Sequence, residues 1–165
     1  MQILTLDQIL TDCNQVVNRA ASYSFTGGFF FQTLQFTGCR IEELTNPTLW
    51  SKPLPNAINL QTLKRGGVRV FNPQDLPIPF INWFLGAPYA GSYMSKQNMR
   101  RIHNTFTMYP TAMVKDKQIS VHIFRHAKIK WLHANYIPTA TIANMFGYTD
   151  IETAQYYIDS TIYLP

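Results

Sequence analysis

The sequence contains no apolar run near the roughly 20 residues that a membrane-spanning helix requires. Its start, Met1-Gln2-Ile3-Leu4-Thr5, has neither the basic residues nor the small-residue cleavage site of a signal peptide. Cys13 and Cys39 are its two cysteines, too few for a disulfide framework. With no secretory context they point to a reducing compartment. Neither cysteine has a Cys or His partner at the spacing of a four-ligand zinc site. There are no internal repeats and no low-complexity segments. After Lys130 no Lys or Arg occurs, while Asp150, Glu152 and Asp159 do.

What is present describes a packed domain. The 165 residues suffice for one hydrophobic core. Hydrophobic residues make up 46%, including 11 Phe, 9 Tyr and 3 Trp, which excludes a disordered tail. Net charge is +5, and its placement is uneven. From Lys52 to Lys130 there are twelve Lys/Arg against two acids, Asp75 and Asp116. A basic block suits a polyanionic partner, because each phosphate contact releases counterions. A charge run alone is better explained by a solvated surface. Its meaning therefore rests on the residues embedded in it.

Local signals give a mostly helical α+β chain with one small antiparallel sheet. Thr5 and Gln8 form a capping-box pattern that opens a helix. Leu6, Ile9, Leu10, Cys13, Val16, Val17 and Ala20 follow at helical spacing. Gly27-Gly28 break the chain, Phe29 to Phe36 reads as a buried helix closed by Thr37-Gly38, and Ile41 to Leu44 starts a short helix. The Phe29-Phe30-Phe31 run belongs to the core. Pro53 and Pro55 punctuate the next stretch. Ala57 to Leu63 alternates with period two, Lys64-Arg65-Gly66-Gly67 turns, and Val68 to Phe71 returns, a β-hairpin with a basic tip. The apolar segment 76–85 starts any helix after Pro77 and Pro79, and Gly86-Ala87-Pro88 is a loop. Ser95 caps a helix to about Met108, with Met99, Ile102, His103 and Phe106 on one side. Residues 110–118 form a polar connection, and a helix spans about Ser120 to Asn135. Another opens at Pro138-Thr139 and ends near Gly147. Asp150 caps a last helix through Tyr157.

The chemistry-bearing stretch runs from His122 to Tyr157. It reads His122-Ile123-Phe124-Arg125-His126, then Phe146-Gly147-Tyr148, then Tyr157 nine residues on. His122 and Arg125, three apart on a helix, share a face. That spacing alone is common, and a solvated surface pair shows it too. His126 reads as a core histidine bonding to backbone. Far upstream lies Thr37-Gly38-Cys39-Arg40-Ile41-Glu42-Glu43-Leu44. Two arginines, a histidine, a lysine and a tyrosine are the parts needed to attack a phosphodiester without a metal.

In these positions the sequence resembles the catalytic domain of the tyrosine recombinase (integrase) family. His122 to His126 resembles the family's H-x-L-R-H, with Phe124 in the Leu place. Met145-Phe146-Gly147-Tyr148 stands at Leu-Gly-His, Ile137-Pro138 at the turn between the helices, and Tyr157 at the nucleophile. The segment 37–44 is similar to the family's T-G-x-R-x-x-E-L box, and Lys64 sits where the family carries its hairpin lysine. The likeness spans almost the whole chain, in the family's order.

The resemblance implies the catalytic set Arg40, Lys64, His122, Arg125, Tyr148 and Tyr157, with no metal and no cofactor. Arg40 and Arg125 would hold the non-bridging oxygens of the scissile phosphate. Tyrosine is a weak nucleophile near neutral pH, with an ordinary pKa of about 10, so Tyr157 needs that help. Attack would leave a 3′-phosphotyrosine and a 5′-hydroxyl. Lys64 would protonate the leaving oxygen, and His122 would assist proton transfer. Tyr148 departs from the usual His or Trp. It can still donate to a phosphate oxygen, and equally it can be a packing aromatic. Tyr156 packs beside the nucleophile, and Glu43 anchors the local fold or the Arg40 side chain.

The implied partner is double-stranded DNA, with self-association on DNA from dimer to tetramer, no membrane, and action in a bacterial host cytoplasm or nucleoid. The expected layout is a single catalytic domain over residues 1–165 without the family's N-terminal core-binding domain. DNA binding by this chain alone is accordingly expected to be weak and salt-sensitive. Competing readings are a DNA-binding accessory module weakened in activity, a type IB topoisomerase-like or telomere-resolvase-like enzyme, and a non-enzymatic interaction domain with a fortuitous motif.

Overall fold

The structure, a computed structural model, describes residues 1–64, 67–86 and 93–165. Arg65 and Gly66 of the expected turn, and Ala87 and Pro88 of the expected loop, lie outside the described residues. Helix dominates, at 55%. Helix α1 (Leu6–Tyr23) starts as its capping box requires: Gln8 N donates to Thr5 Oγ1, and Thr5 N donates to Gln8 Oε1. Its buried stripe is Ile9, Asp12, Cys13, Val16, Val17 and Ala20. Asp12 is the polar member. It accepts from the Thr107 hydroxyl at 2.6 Å and from Met108 N at 2.7 Å, tying α1 to the end of α5 (Lys96–Phe106).

Helix α2 (Phe25–Thr37) corrects the expected break at Gly27-Gly28. Ser24 caps it, and both glycines lie in its first turn, where a Cβ on Gly28 would stand 3.0 Å from Ala21 Cα. They permit close crossing of α1 and do not interrupt the helix. Phe30 and Phe31 are fully buried, and Phe30 and Trp50 each meet the Phe80 ring edge to face, at 5.7 and 4.8 Å. Gly38 ends α2 at φ +62, the left-handed conformation that favours glycine. Helix α3 (Ile41–Leu44) follows at once.

Two antiparallel sheets replace the single one expected. The first has order β2-β3-β4, built from β2 (Trp50–Leu54), β3 (Ala57–Gln61) and β4 (Val68–Phe71). Strand β2 is an edge strand with an irregular register between Ser51 and Leu54, which is how it tolerates Pro53. The second has order β1-β7-β5-β6: β1 (Gln2–Ile3), β7 (Ile162–Leu164), β5 (Met113–Val114) and β6 (Lys117–Gln118). The expected polar connection over 110–118 thus contains a hairpin. Its strands are two residues long, too short to show alternation.

Helix α4 (Ile78–Phe84) begins between the two prolines, with Pro79 in its first turn, where the missing N–H costs nothing. Helices α6 (Ile123–Ala134), α7 (Thr139–Met145) and α8 (Ile151–Asp159) follow, with Ser95 and Asp150 as the expected caps of α5 and α8. Strand β7 comes soon after α8. No helix among the described residues is long and apolar enough to cross a membrane.

Arg69 clamps the hairpin to this frame. It lies opposite Leu60 in the β3–β4 register and is 4% exposed, while its neighbours Val68 and Val70 face solvent. Its Nη2 donates to Thr37 O at the end of α2, and its Nε to Met145 O at the end of α7. The guanidinium stacks over Phe146 at 4.1 Å. Arg69→Met keeps the apolar stem but orphans two helix-terminal carbonyls. It is expected to lower the unfolding free energy by about 2–6 kcal/mol, from about 1–3 for each buried unpaired group. Urea denaturation measures the loss, and an unchanged midpoint would show that the guanidinium clamps nothing.

Candidate active site

The site is assembled by Glu43. This carboxylate is 1% exposed. Its Oε1 accepts from Arg40 N at 2.7 Å, the reach-back of a third helical residue to its cap. Its Oε2 accepts from Leu63 N at 3.0 Å, next to Lys64 on the hairpin. Oε1 also lies 3.9 Å from Arg125 Nη1. One buried anion thereby fixes the segments that carry Arg40, Lys64 and Arg125. It holds the Arg40 backbone and not its side chain.

A cleft of about 920 Å³ opens over these segments. Arg40, Lys64, His122 and Tyr157 line it. Lys64 is exposed, Arg40 is half-buried, and Tyr157 is 5% exposed yet borders the cleft. Arg125 and Tyr148 lie behind this wall. Arg125 is 2% exposed and donates from Nε to Tyr148 Oη at 2.9 Å and from Nη1 to Gly38 O at 3.1 Å. Its Nη2 has no hydrogen-bond partner among the described residues. The guanidinium lies 5.7 Å from the centroid of the Tyr157 ring, and the Tyr148 and Tyr157 rings are parallel at 6.4 Å.

His122 occupies the cap position of α6, and Arg125 its first turn. His122 Nε2 lies 2.8 Å from Tyr157 Oη. Burial holds the imidazole down to about 3 from the ordinary 6.5, helped by the positive field of His126, Arg125, Arg40 and Lys64. The ring is neutral at pH 7, with one nitrogen free to accept. Burial raises the Tyr148 hydroxyl against the opposing pull of Arg125, so Tyr148 keeps its proton at neutral pH. Arg40 and Arg125 both contribute to the positive field at His122 and at Tyr148.

His126 is a core histidine, 2% exposed, but its partner is not backbone: Nδ1 lies 3.0 Å from Ser160 Oγ. The ring packs edge-on against Tyr157 at 4.7 Å. Three groups that sequence reasoning passed over hold the ends of α7 and α8. Ser160 donates to Tyr157 O at 2.9 Å as well as meeting His126. Lys130 Nζ donates to Ile158 O and Ser160 O at the end of α8. Arg69 holds the α7 end that leads to Tyr148. For Arg69 a signal existed, since hairpin pairing puts it opposite Leu60 and so on the core face. Ser160 and Lys130 had none. Tyr156 is exposed and meets the Tyr157 ring edge-on at 5.3 Å. Cys39, buried beneath Arg40, is pushed up to about 12 by burial and is inert as a thiol.

No family model matches the chain, and no curated protein does. Solved structures do. The chain is similar to XerA recombinase at 17% identity and a TM-score of 0.62, over 94% of this chain and 57% of that one. It is similar to a lambda integrase dimer bound to a COC′ core site at 17% identity and a TM-score of 0.65, over 96% and 59%. It is similar to XerH site-specific recombinase bound to its difH substrate before cleavage at 13% identity and a TM-score of 0.55, over 95% and 50%. The chain thus spans between half and three-fifths of the length of these proteins. Its fold is that of the tyrosine recombinase catalytic domain, the family its motifs resemble.

The depressed histidines set a pH dependence of stability. His122 and His126 are each held down to about 3 when folded, from the ordinary 6.5. Between those values the unfolded chain binds more protons, so acid favours unfolding. Stability is expected to be full above pH 6.5 and to decline steadily towards pH 3. His126→Phe keeps the packing and should shallow that decline. Melting temperature against pH checks both, and identical profiles for the two proteins would contradict the assignment.

Proposed function

We propose that this chain cleaves and rejoins DNA strands, with Tyr157 as nucleophile. The supporting observation is the 2.8 Å contact between Tyr157 Oη and the neutral His122 Nε2 at the wall of a cationic cleft. In the first step the Tyr157 oxygen bonds to phosphorus while its proton passes to His122. The bond from phosphorus to the 5′ oxygen breaks, and Lys64 supplies the proton that leaves that oxygen as a hydroxyl. The product is a 3′-phosphotyrosine. The reverse sequence rejoins the strand, since the covalent bond conserves the energy of the phosphodiester.

Arg40 approaches the non-bridging oxygens from the cleft wall, and Arg125 offers its Nη2 edge from behind. Negative charge grows on those oxygens during attack, so fixed guanidiniums act where the transition state differs most from the ground state. Tyr148 holds the Arg125 fork through Nε and keeps its own proton for a phosphate oxygen. On this reading a Tyr serves where the family usually has His or Trp. The buried anion Glu43 neutralises part of the local charge without reaching the substrate. Its place is under the reacting groups.

A duplex nicked next to the cleavage site traps the intermediate, because the severed fragment diffuses away before rejoining. The chain is expected to form an adduct that survives denaturing electrophoresis, and Tyr157→Phe to form none. Arg40→Ala and Arg125→Ala should each slow adduct formation by about 10²–10³-fold, the effect of removing one donor to a developing oxyanion. Lys64→Ala should be slow on an ordinary duplex but recover on one with sulfur at the 5′ bridging position, since a thiolate leaves without a proton. Failure of that rescue would remove Lys64 from the role of acid.

A further inference from the structure

The β5–β6 hairpin has no place in the chemistry above, yet its tip forms part of the same cleft. Lys115, Asp116 and Lys117 line the cleft together with Lys64 from the other hairpin. Both Lys115 and Lys117 are exposed, and among the described residues neither is in an ion pair. Arg100, also on the cleft, differs: it is already paired with Glu42 at 3.5 Å. The hairpin thus adds two cations outside any ion pair among the described residues, and one acid.

The tip is held in shape. Lys115 sits at φ +56, in a two-residue turn between β5 and β6. Its carbonyl accepts from the Tyr163 hydroxyl on β7. Strand β5 pairs with β7 through Met113 with Tyr163 and Val114 with Ile162. Gln118 Nε2 donates to Pro110 O at 2.8 Å and closes the base. Lys115 Nζ lies 5.0 Å from the centroid of the Tyr156 ring, on the helix that carries Tyr157. A solvated surface loop needs none of these ties. They fix the backbone that carries Lys115 and Lys117 beside the cleft, which lowers the ordering cost of gripping a ligand there.

We infer that the β5–β6 hairpin is a second grip on the DNA backbone, in which Lys115 and Lys117 contact phosphates flanking the one that Tyr157 attacks. The inference rests on the proposed function, because it takes the cleft to hold a duplex. The two hairpins then approach the duplex from the two sides of the cleft, one bringing the leaving-group acid and the other pure backbone contact. Asp116 sits between the lysines as a repulsive charge that moderates the grip. Backbone contacts of this kind carry affinity and register but not sequence.

The test is equilibrium binding of a labelled duplex across a salt series, with the full chain carrying Tyr157→Phe so that no covalent step intervenes. Adding Lys115→Ala and Lys117→Ala together should weaken binding roughly tenfold at low salt. It should also flatten the slope of log K against log salt by about two, near 0.9 for each phosphate that is no longer neutralised. Asp116→Asn should act oppositely and tighten binding. It is a mild change at an exposed turn, so it decides the matter if the double variant fails to fold. An unchanged slope in the double variant, or no gain from Asp116→Asn, overturns the inference. Covalent trapping tests the nucleophile separately. A chain that shows these salt effects but forms no adduct would retain the grip and lose the proposed reaction.

Discussion

A single buried carboxylate governs this molecule. Glu43 binds the backbone of Arg40 and of Leu63 and sits against Arg125, so it joins the start of α3, the tip of a hairpin and the first turn of α6. Burying a carboxylate is costly unless it is paired and hydrogen-bonded. Here two N–H donors and one guanidinium meet that cost. The geometry they impose gathers residues that lie far apart in the chain, Arg40 and Arg125 among them. Arg125 in turn bonds Tyr148 and lies against the Tyr157 ring. The cluster is therefore continuous from the anion to the phenol.

The same arrangement explains the charge state of the site. Arg40, Arg69, Arg125 and Lys64 crowd one region around the buried acid Glu43. Burial and mutual repulsion lower the Arg69 guanidinium to about 10, still charged at neutral pH. That surplus positive potential, with burial, keeps His122 neutral, and it makes the imidazole a weak base for as long as the excess stands. The region holds four cations around one acid, and a phosphate between Arg40 and Arg125 would offset part of that excess. A phosphate held there would therefore also raise the basicity of His122.

Much of this was legible because it is local. The caps at Thr5, Ser95 and Asp150, the left-handed stop at Gly38 and the spacing from Tyr148 to Tyr157 are each written within a few residues. The reach of Glu43 to Arg40 is a three-residue pattern of the same kind. What stayed hidden depends on distant partners. The sheet that joins β1 to β7 pairs the first residues with the last, and no window reads that. Gly27-Gly28 looks like a break until α1 is seen to cross there. Val68-Arg69-Val70 taken alone invites the opposite assignment, valines inward and arginine outward, and only its pairing opposite Leu60 points the other way. The ends of α2 and α7, with carbonyls to satisfy, invert it. The bonds of His126 to Ser160 and of Arg125 to Tyr148 join side chains whose proximity depends on how α6, α7 and α8 pack.

Three tyrosines share the site. Tyr148, Tyr156 and Tyr157 lie within one cluster, and the bond-forming oxygen is assigned to the one beside His122. The most direct measurement is proteolysis of the trapped protein–DNA adduct followed by mass spectrometry of the nucleotide-bearing peptide. The modified residue should be Tyr157. Attachment at Tyr156, at Tyr148 or at no tyrosine would contradict the assignment, and the geometry around His122 would need a different meaning.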